Sequence, residues 1–164
     1  MEENFFRCDE SRRLLCLCRD VLRAVGDSRQ CDDMGRLRAV MAKGIASGLL
    51  ERDRFGFNPV LSALATAATL CESVSADRNM VLAVLLSPMT RSGAVTEADI
   101  AAEWGDDVAK LVRGLDKVGS LYSRGASVES ENFRKLLLTF AEDLRVIIIM
   151  IVDRLTLMRA INHH

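Results

Sequence analysis

The sequence predicts an all-α protein, and two observations carry that prediction. Apolar residues recur at spacings of three and four along most of the chain, and no run alternates apolar and polar residues as a half-buried strand does. Only two of the 164 residues are proline, so few positions interrupt a helix. A chain of this length is sufficient for one domain with a single sizeable core. We therefore expect a multi-helix bundle.

Composition argues against several classes of function. The formal net charge is −1, with acids and bases interspersed, so neither nucleic acid nor an anionic membrane is an expected partner. The longest apolar run falls far short of the roughly 20 residues that cross a bilayer, and the N-terminus lacks a basic targeting region. The five cysteines fit neither a disulfide framework nor a zinc site, which indicates free thiols. We predict a soluble, cytoplasmic chain.

The first half of the sequence predicts four helices. Residues 9–25 form an amphipathic pattern that Gly26 ends, and a second helix begins at Asp32 or Asp33 and stops near residue 50. Residues 54–59 are predicted to be a loop, and Pro59 suits the first position of the third helix. A short fourth helix over 78–86 should end at Ser87-Pro88, because a residue before proline disfavours helical geometry.

The second half predicts three more helices. Thr96 and Asp99 have the spacing of a capping box and start a helix over 97–117, which Gly105 can kink or divide. Residues 119–130 are predicted to be an irregular loop and are our candidate for a moving part. Two consecutive helices follow, and the second, over 142–160, is so apolar that we expect burial around most of its circumference.

Asp153 lies inside this most apolar helix. A buried carboxylate is costly unless it is paired or bound to a metal, so an ion pair and a metal ligand are the two interpretations. Residue type favours the ion pair, with Arg145, Arg154 or Arg159 as its partner. No histidine precedes His163, so the chain lacks an imidazole ligand and an ordinary general base near neutral pH.

Three segments together resemble a known family. They are VTEADI at 95–100, WGDDVAKLVRGLDK at 104–117, and the stretch 131–159 with its ENFRKLLL, DLRVIII and DRL-x-x-MR motifs. The stretch 54–162 resembles the HD-type hydrolase domain of long RelA/SpoT proteins, the bacterial enzymes of (p)ppGpp turnover. The resemblance implies an HD-domain-like bundle with N-terminal helices over 1–53 and a hydrolase-like core over 54–164. It also implies synthetase and later domains beyond residue 164; whether His163 and His164 are native or belong to a tag stays open.

The resemblance also implies a site that has lost its metal. In that family two histidines and two aspartates hold one manganese ion, and a Glu-Asp pair beside it activates water. The four ligand positions fall on Ala63, Ser87, Pro88 and Asp153, the water-activating positions on Arg91 and Ser92, and a loop arginine is kept as Arg54. Only Asp153 keeps a ligand type, and a catalytic metal needs about three protein ligands. No metal, cofactor or catalytic residue is therefore expected in this fragment.

This resemblance implies three hypotheses about function. The first is a non-enzymatic pseudo-hydrolase domain that regulates an adjacent synthetase domain, in a parent GTP pyrophosphokinase that uses Mg with ATP and GTP. The second is a sensor in which Arg54, Arg91 and Asp153 bind a guanine nucleotide or (p)ppGpp without cleaving it. The third is an enzyme of another class built on the same helices.

Overall fold

The computed structural model describes residues 21, 33–48, 57–74, 76–123 and 143–162, and six α-helices have bounds within these ranges. The helices are α1 (Asp33–Ala46), α2 (Pro59–Ser73), α3 (Arg78–Arg91), α4 (Glu97–Trp104), α5 (Asp106–Ser123) and α6 (Leu144–Asn162). The all-α prediction is confirmed. The predictions for the helix over 9–25 apart from Val21, for Arg54, and for residues 124–142 lie outside the described residues.

Helix α3 is the centre of the bundle. Every residue from Met80 to Met89 is buried, and α3 packs against α2 and α5 and also touches α1 and α6. Helix α2 lies between α3 and α6, and its small alanine and threonine side chains permit close packing on both sides. Among the helices described, none combines the length and the hydropathy that crossing a membrane requires.

The predicted helix starts are confirmed by their caps. Asn58 precedes Pro59 and accepts hydrogen bonds from the backbone N–H groups of Val60 and Leu61. Asp77 accepts one from Met80 at the start of α3. Thr96 and Asp99 form the reciprocal capping box that begins α4. Each cap supplies acceptors for N–H groups that have no partner within their own helix.

The predicted end of the fourth helix was wrong. Helix α3 does not stop before Pro88 but runs through it to Arg91. Proline removes one helical hydrogen bond, yet Pro88 and its neighbours Ser87 and Met89 are buried against the core. Side-chain bonds also hold this last turn, since the Thr90 hydroxyl lies 2.8 Å from both the Ser87 carbonyl and the Asp116 carboxylate and shares its one proton between these two acceptors. Tertiary packing therefore overrides the local signal.

Three further boundaries can be compared with the prediction, and two of them, the ends of α5 and α1, differ from it. Gly105 adopts φ +100° and divides the predicted helix over 97–117 into α4 and α5, which is the alternative that its sequence allowed. Helix α5 then continues to Ser123, so the first part of the predicted loop over 119–130 is helical. Helix α1 ends at Ala46, before the predicted end near residue 50.

Helix α6 is buried on one face only, which corrects the predicted burial around most of its circumference. Val146, Ile149 and Val152 pack into the core. Five large apolar side chains are 38–68% exposed, and all of them lie within about 60° of the side of the helix opposite these core residues: Leu144, Ile151, Leu155, Met158 and Ile161. We call these five residues the apolar face of α6. The helix is apolar on two sides, but the described part of the bundle covers only one.

Candidate functional site

The last turn of α3 presents three polar side chains to α5. Ser87, Thr90 and Arg91 are three and four residues apart, so they share one face of the helix. Their common partner is Asp116 of α5, whose carboxylate accepts hydrogen bonds from Ser87 at 3.2 Å and from Thr90 at 2.8 Å. The Arg91 guanidinium lies 3.4 Å from the same carboxylate through Nε and donates to the Ser87 hydroxyl at 2.8 Å through Nη2. We call these four residues the α3–α5 polar cluster.

The cluster runs from the core to the surface. Ser87 is 2% exposed, whereas the Arg91 and Asp116 side chains are 62% and 33% exposed. A buried hydroxyl is thus satisfied on one side by a carboxylate and on the other by a guanidinium, as buried polar groups require. The positive group is the one most accessible to a solute.

Asp116 was not among the site residues predicted from the sequence, which included Ser87 and Arg91. In α5, Val108 and Val112 are four residues apart and both are buried. Asp116 continues that four-residue spacing, and a carboxylate in line with a buried stripe was the available signal. The structure joins Ser87 and Arg91 directly. Ser92, the other predicted water-activating position, is the C-cap of α3 and donates to the Met89 carbonyl.

Asp153 lies in a different polar seam, between α2 and α6. Its carboxylate accepts a hydrogen bond from the buried Thr66 hydroxyl at 3.1 Å, and Thr156 donates to Thr69 at 3.3 Å one turn away. Asp153 itself is exposed, so the buried charge inferred from its apolar surroundings was wrong. Of the arginines expected to pair with it, Arg145 contacts other carboxylates instead.

Arg145 joins the N-terminal ends of three helices. Its guanidinium lies 3.3 Å from Asp77 before α3, 2.7 Å from Asp107 in α5 and 2.5 Å from Asp143 before α6. Hydrogen bonds from Arg145 and then from Asn79 lower the pKa of Asp107 to about 2, and a hydrogen bond from Arg145 also lowers the pKa of Asp143. The same carboxylates raise the pKa of Arg145. Carboxylates at helix N-termini also interact favourably with the helix dipoles. The contacts of Arg145 therefore stabilise the packing of α3, α5 and α6 at these ends.

The described residues at the predicted ligand positions do not fit a divalent metal ion. Ala63 and Pro88 carry no donor atom, and the Ser87 hydroxyl is held by Arg91 and Asp116. Throughout the described ranges, no three His, Cys, Asp or Glu side chains are grouped so that they could bind a metal. Cys71 supplies no ready thiolate, because burial and then Glu72 raise the pKa of its thiol. Around Ser87, the side chains offer hydrogen-bonding groups and the accessible guanidinium of Arg91.

Comparison with protein families identifies the fold: residues 40–164 match the HD domain, and the chain belongs to that family. It is homologous to the RelA/SpoT proteins of (p)ppGpp metabolism, which confirms the resemblance of its motifs. A guanosine-3′,5′-bis(diphosphate) 3′-pyrophosphohydrolase of Aquifex aeolicus is 34% identical over 105 residues, which are 64% of this chain and 15% of that protein. No solved structure matches.

Two other relatives are named for different activities. The bifunctional (p)ppGpp synthase/hydrolase SpoT of Escherichia coli is 29% identical over 134 residues, 80% of this chain and 19% of that protein. A GTP pyrophosphokinase of Myxococcus xanthus is 34% identical over 92 residues, 53% of this chain and 12% of that protein. The chain therefore spans less than a fifth of the length of these curated relatives.

The prediction that this fragment is not an enzyme is contradicted by these comparisons. Relatives from Aquifex aeolicus and Vibrio cholerae, 34% and 35% identical, are both named 3′-pyrophosphohydrolases. The prediction rested on three single positions, Ala63, Ser87 and Pro88, where the residue present is not a usual metal ligand. A comparison of individual positions with a family motif does not show which other side chains the fold brings to the site. Asp116 is an example, because it contacts Ser87 but lies outside the compared positions.

Proposed function

We propose that this chain is the HD domain of a RelA/SpoT-type protein of (p)ppGpp metabolism and that its ligand is guanosine 3′,5′-bis(diphosphate). The observation that supports this proposal most strongly is the HD match over residues 40–164, together with relatives whose names specify that compound. The α3–α5 polar cluster adds an accessible guanidinium beside buried hydrogen-bonding groups, which suits a ligand rich in phosphate.

Calorimetry of the 164-residue chain with guanosine 3′,5′-bis(diphosphate) tests the proposal. We expect saturable binding with a single site, and weaker binding of GDP because it lacks the 3′-diphosphate. Guanosine serves as the control ligand that carries no phosphate. Absence of heat at millimolar concentrations of the bis(diphosphate), with the chain shown to be folded by circular dichroism, would refute the proposal.

The names of the relatives also make hydrolysis the reaction to assay. The same ligand, incubated with the chain in the presence and absence of Mn²⁺, should be followed by chromatography for GDP and pyrophosphate. Release of both products in equal amounts would identify the bond cleaved as the one at the 3′ position. Addition of EDTA then reports whether turnover depends on a metal.

We further propose that the apolar face of α6 docks on another domain of the parent polypeptide, the synthetase domain expected from the sequence. The supporting observation is that Ile151 and Met158 are 60% and 65% exposed on the side of α6 that faces away from the core. A contiguous exposed apolar surface on a helix is typical of an interaction site. The HD domain can influence a synthetase domain packed on this face only if the two domains adopt two arrangements that differ in their contacts.

The test compares variants of the polypeptide that carries this chain together with a synthetase domain. Ile151→Glu with Met158→Glu should alter the rate of pyrophosphate transfer from ATP to GTP, because charges in the contact disfavour the docked arrangement. Lys110→Glu, at an exposed position of α5, is the control and should leave the rate unchanged. Equal rates in all three proteins would contradict the docking proposal.

Several expectations remain predictions. They are the domain boundary near residue 54, the lack of manganese in this fragment, the use of Mg with ATP and GTP by the parent, and the cytoplasmic location. Arg54 remains a predicted nucleotide contact outside the described residues.

A further inference from the structure

We propose that Arg91 is the phosphate-binding residue of this domain and that Asp116 restrains it, so that ligand binding exchanges one partner of the guanidinium for another. This inference rests on the proposed function, since it assigns the residue that contacts the phosphate groups of guanosine 3′,5′-bis(diphosphate). It also assigns to Asp116, which the sequence did not identify, control over the affinity for that ligand.

The geometry of Arg91 suits such an exchange. Its Nε and Nη2 atoms hold Asp116 and Ser87, which fixes the plane of the guanidinium, while 62% of the side chain faces solvent. Arginine binds phosphate through paired N–H groups on one edge of that plane. The exchange leaves the contact with Ser87 in place, and a side chain that is already oriented loses less conformational freedom when a ligand binds than a disordered one does.

The present partner of Arg91 is one that a phosphate can displace. An ion pair that water reaches contributes little to stability because water screens it, and here the Arg91 side chain is 62% exposed and the partly buried Asp116 side chain 33% exposed. A diphosphate carries more charge than one carboxylate and offers more acceptor oxygens. Exchange of the carboxylate for a diphosphate should therefore strengthen the interaction made by the guanidinium.

Asp116 loses little when Arg91 leaves. Its two carboxylate oxygens accept hydrogen bonds from the Ser87 and Thr90 hydroxyls, so it remains satisfied without the guanidinium. The exchange thus avoids the penalty for an unpaired, partly buried carboxylate. While Asp116 keeps its charge, however, it repels the incoming phosphate and competes for Arg91. Removal of that charge should raise the affinity for the ligand.

Calorimetric titration of the 164-residue chain with guanosine 3′,5′-bis(diphosphate) tests both roles. Arg91→Ala should weaken binding about tenfold or more, since a charge-assisted bidentate contact is lost. Arg91→Lys should restore part of that loss, because lysine keeps the charge without the planar fork. Asp116→Asn should strengthen binding about threefold, in keeping with the small size of an exposed charge interaction, and the gain should shrink in high salt.

The matched control is the ion pair between Arg113 and Glu97, which joins α5 to α4 and is similarly exposed. Arg113→Ala and Glu97→Gln should leave the affinity unchanged. A urea titration of each variant, with and without ligand, shows whether its fold is intact.

The outcomes separate this inference from the proposed function. No binding by the unmodified chain overturns both. Binding by the unmodified chain that Arg91→Ala leaves unchanged overturns only the role of Arg91. The restraining role of Asp116 is overturned if the folded Asp116→Asn variant binds the ligand with an affinity equal to or lower than that of the unmodified chain.

Discussion

The contact between Gly114 of α5 and Val146 of α6 gives a sharp prediction about stability. A Cβ atom added at Gly114 would lie 2.7 Å from Val146 Cγ2 and 3.4 Å from Cγ1. Val146 is buried and β-branched, so it has one strongly preferred rotamer in a helix and cannot turn aside easily. Gly119, in the same helix, has nothing within 4 Å of its added Cβ and is the matched control.

The magnitudes follow from two opposing effects. Replacement of glycine by alanine inside a helix stabilises it by about 1 kcal/mol, because the unfolded chain loses freedom and the helix does not. Gly119→Ala should show that gain, somewhat reduced near the end of the helix. Overpacking of a core costs about 1–3 kcal/mol, so Gly114→Ala should be destabilising by up to about 2 kcal/mol overall. The difference between the two variants isolates the steric contact.

Equilibrium urea denaturation followed by circular dichroism measures both free energies of unfolding. The double variant Gly114→Ala with Val146→Ala removes the methyl groups that clash, so its two substitutions should cost less together than the sum of the single changes. Equal shifts for Gly114→Ala and Gly119→Ala would refute the reasoning. Strictly additive effects in the double variant would do so as well.

Three other predictions concern the polar contacts that hold the bundle. Arg145→Met should lower the free energy of unfolding by about 1–2 kcal/mol, because three partly exposed carboxylates lose their common partner, and 1 M salt should reduce the difference. The pKa of Asp107 is held at about 2, below its ordinary value near 4, so its contribution is present above about pH 4 and is lost as pH falls towards 2. An acid titration of stability should therefore show a shallower loss over that window in Arg145→Met than in the unmodified chain, and parallel curves would contradict the assignment. Asn58→Ala should cost about 1 kcal/mol in thermal or urea unfolding because two N–H groups of α2 lose their cap, and an effect near zero would show that the cap is dispensable.

The sequence correctly predicted those features of the fold that depend on contacts between residues close together in the chain. The start of α2 was predicted from Pro59 and that of α4 from the Thr96–Asp99 capping box, and the predicted start of α3 at residue 78 was also correct. Asn58, which was not predicted as a cap, Asp77 and the capping box each bond to N–H groups within three residues. Gly105 likewise divides two helices through its own backbone conformation. The motifs at 95–100, 104–117 and 131–159 identified the family, because several spaced matches together are specific.

Predictions from the sequence were wrong where a contact between residues far apart in the chain determines the structure. Pro88 predicts a helix end on local grounds, yet burial of the last turn of α3 carries the helix past it. Asp153 was predicted to be a buried charge because its neighbours in sequence are apolar, yet it is exposed in the seam between α2 and α6, where it accepts a hydrogen bond from Thr66. Loss of ligand types at single positions suggested a non-enzyme, and the names of the relatives contradict that inference.

Alone, the sequence determined the helical class, most of the helix starts and the family, since capping and periodicity act over three or four residues. Tertiary structure decided which face of α6 is covered and which residues meet at the end of α3. Asp116 stands 25 residues from Arg91 in the chain, and only the packing of α5 on α3 brings its carboxylate to the guanidinium. Side chains so far apart in sequence become partners through the arrangement of whole helices, which no local pattern specifies.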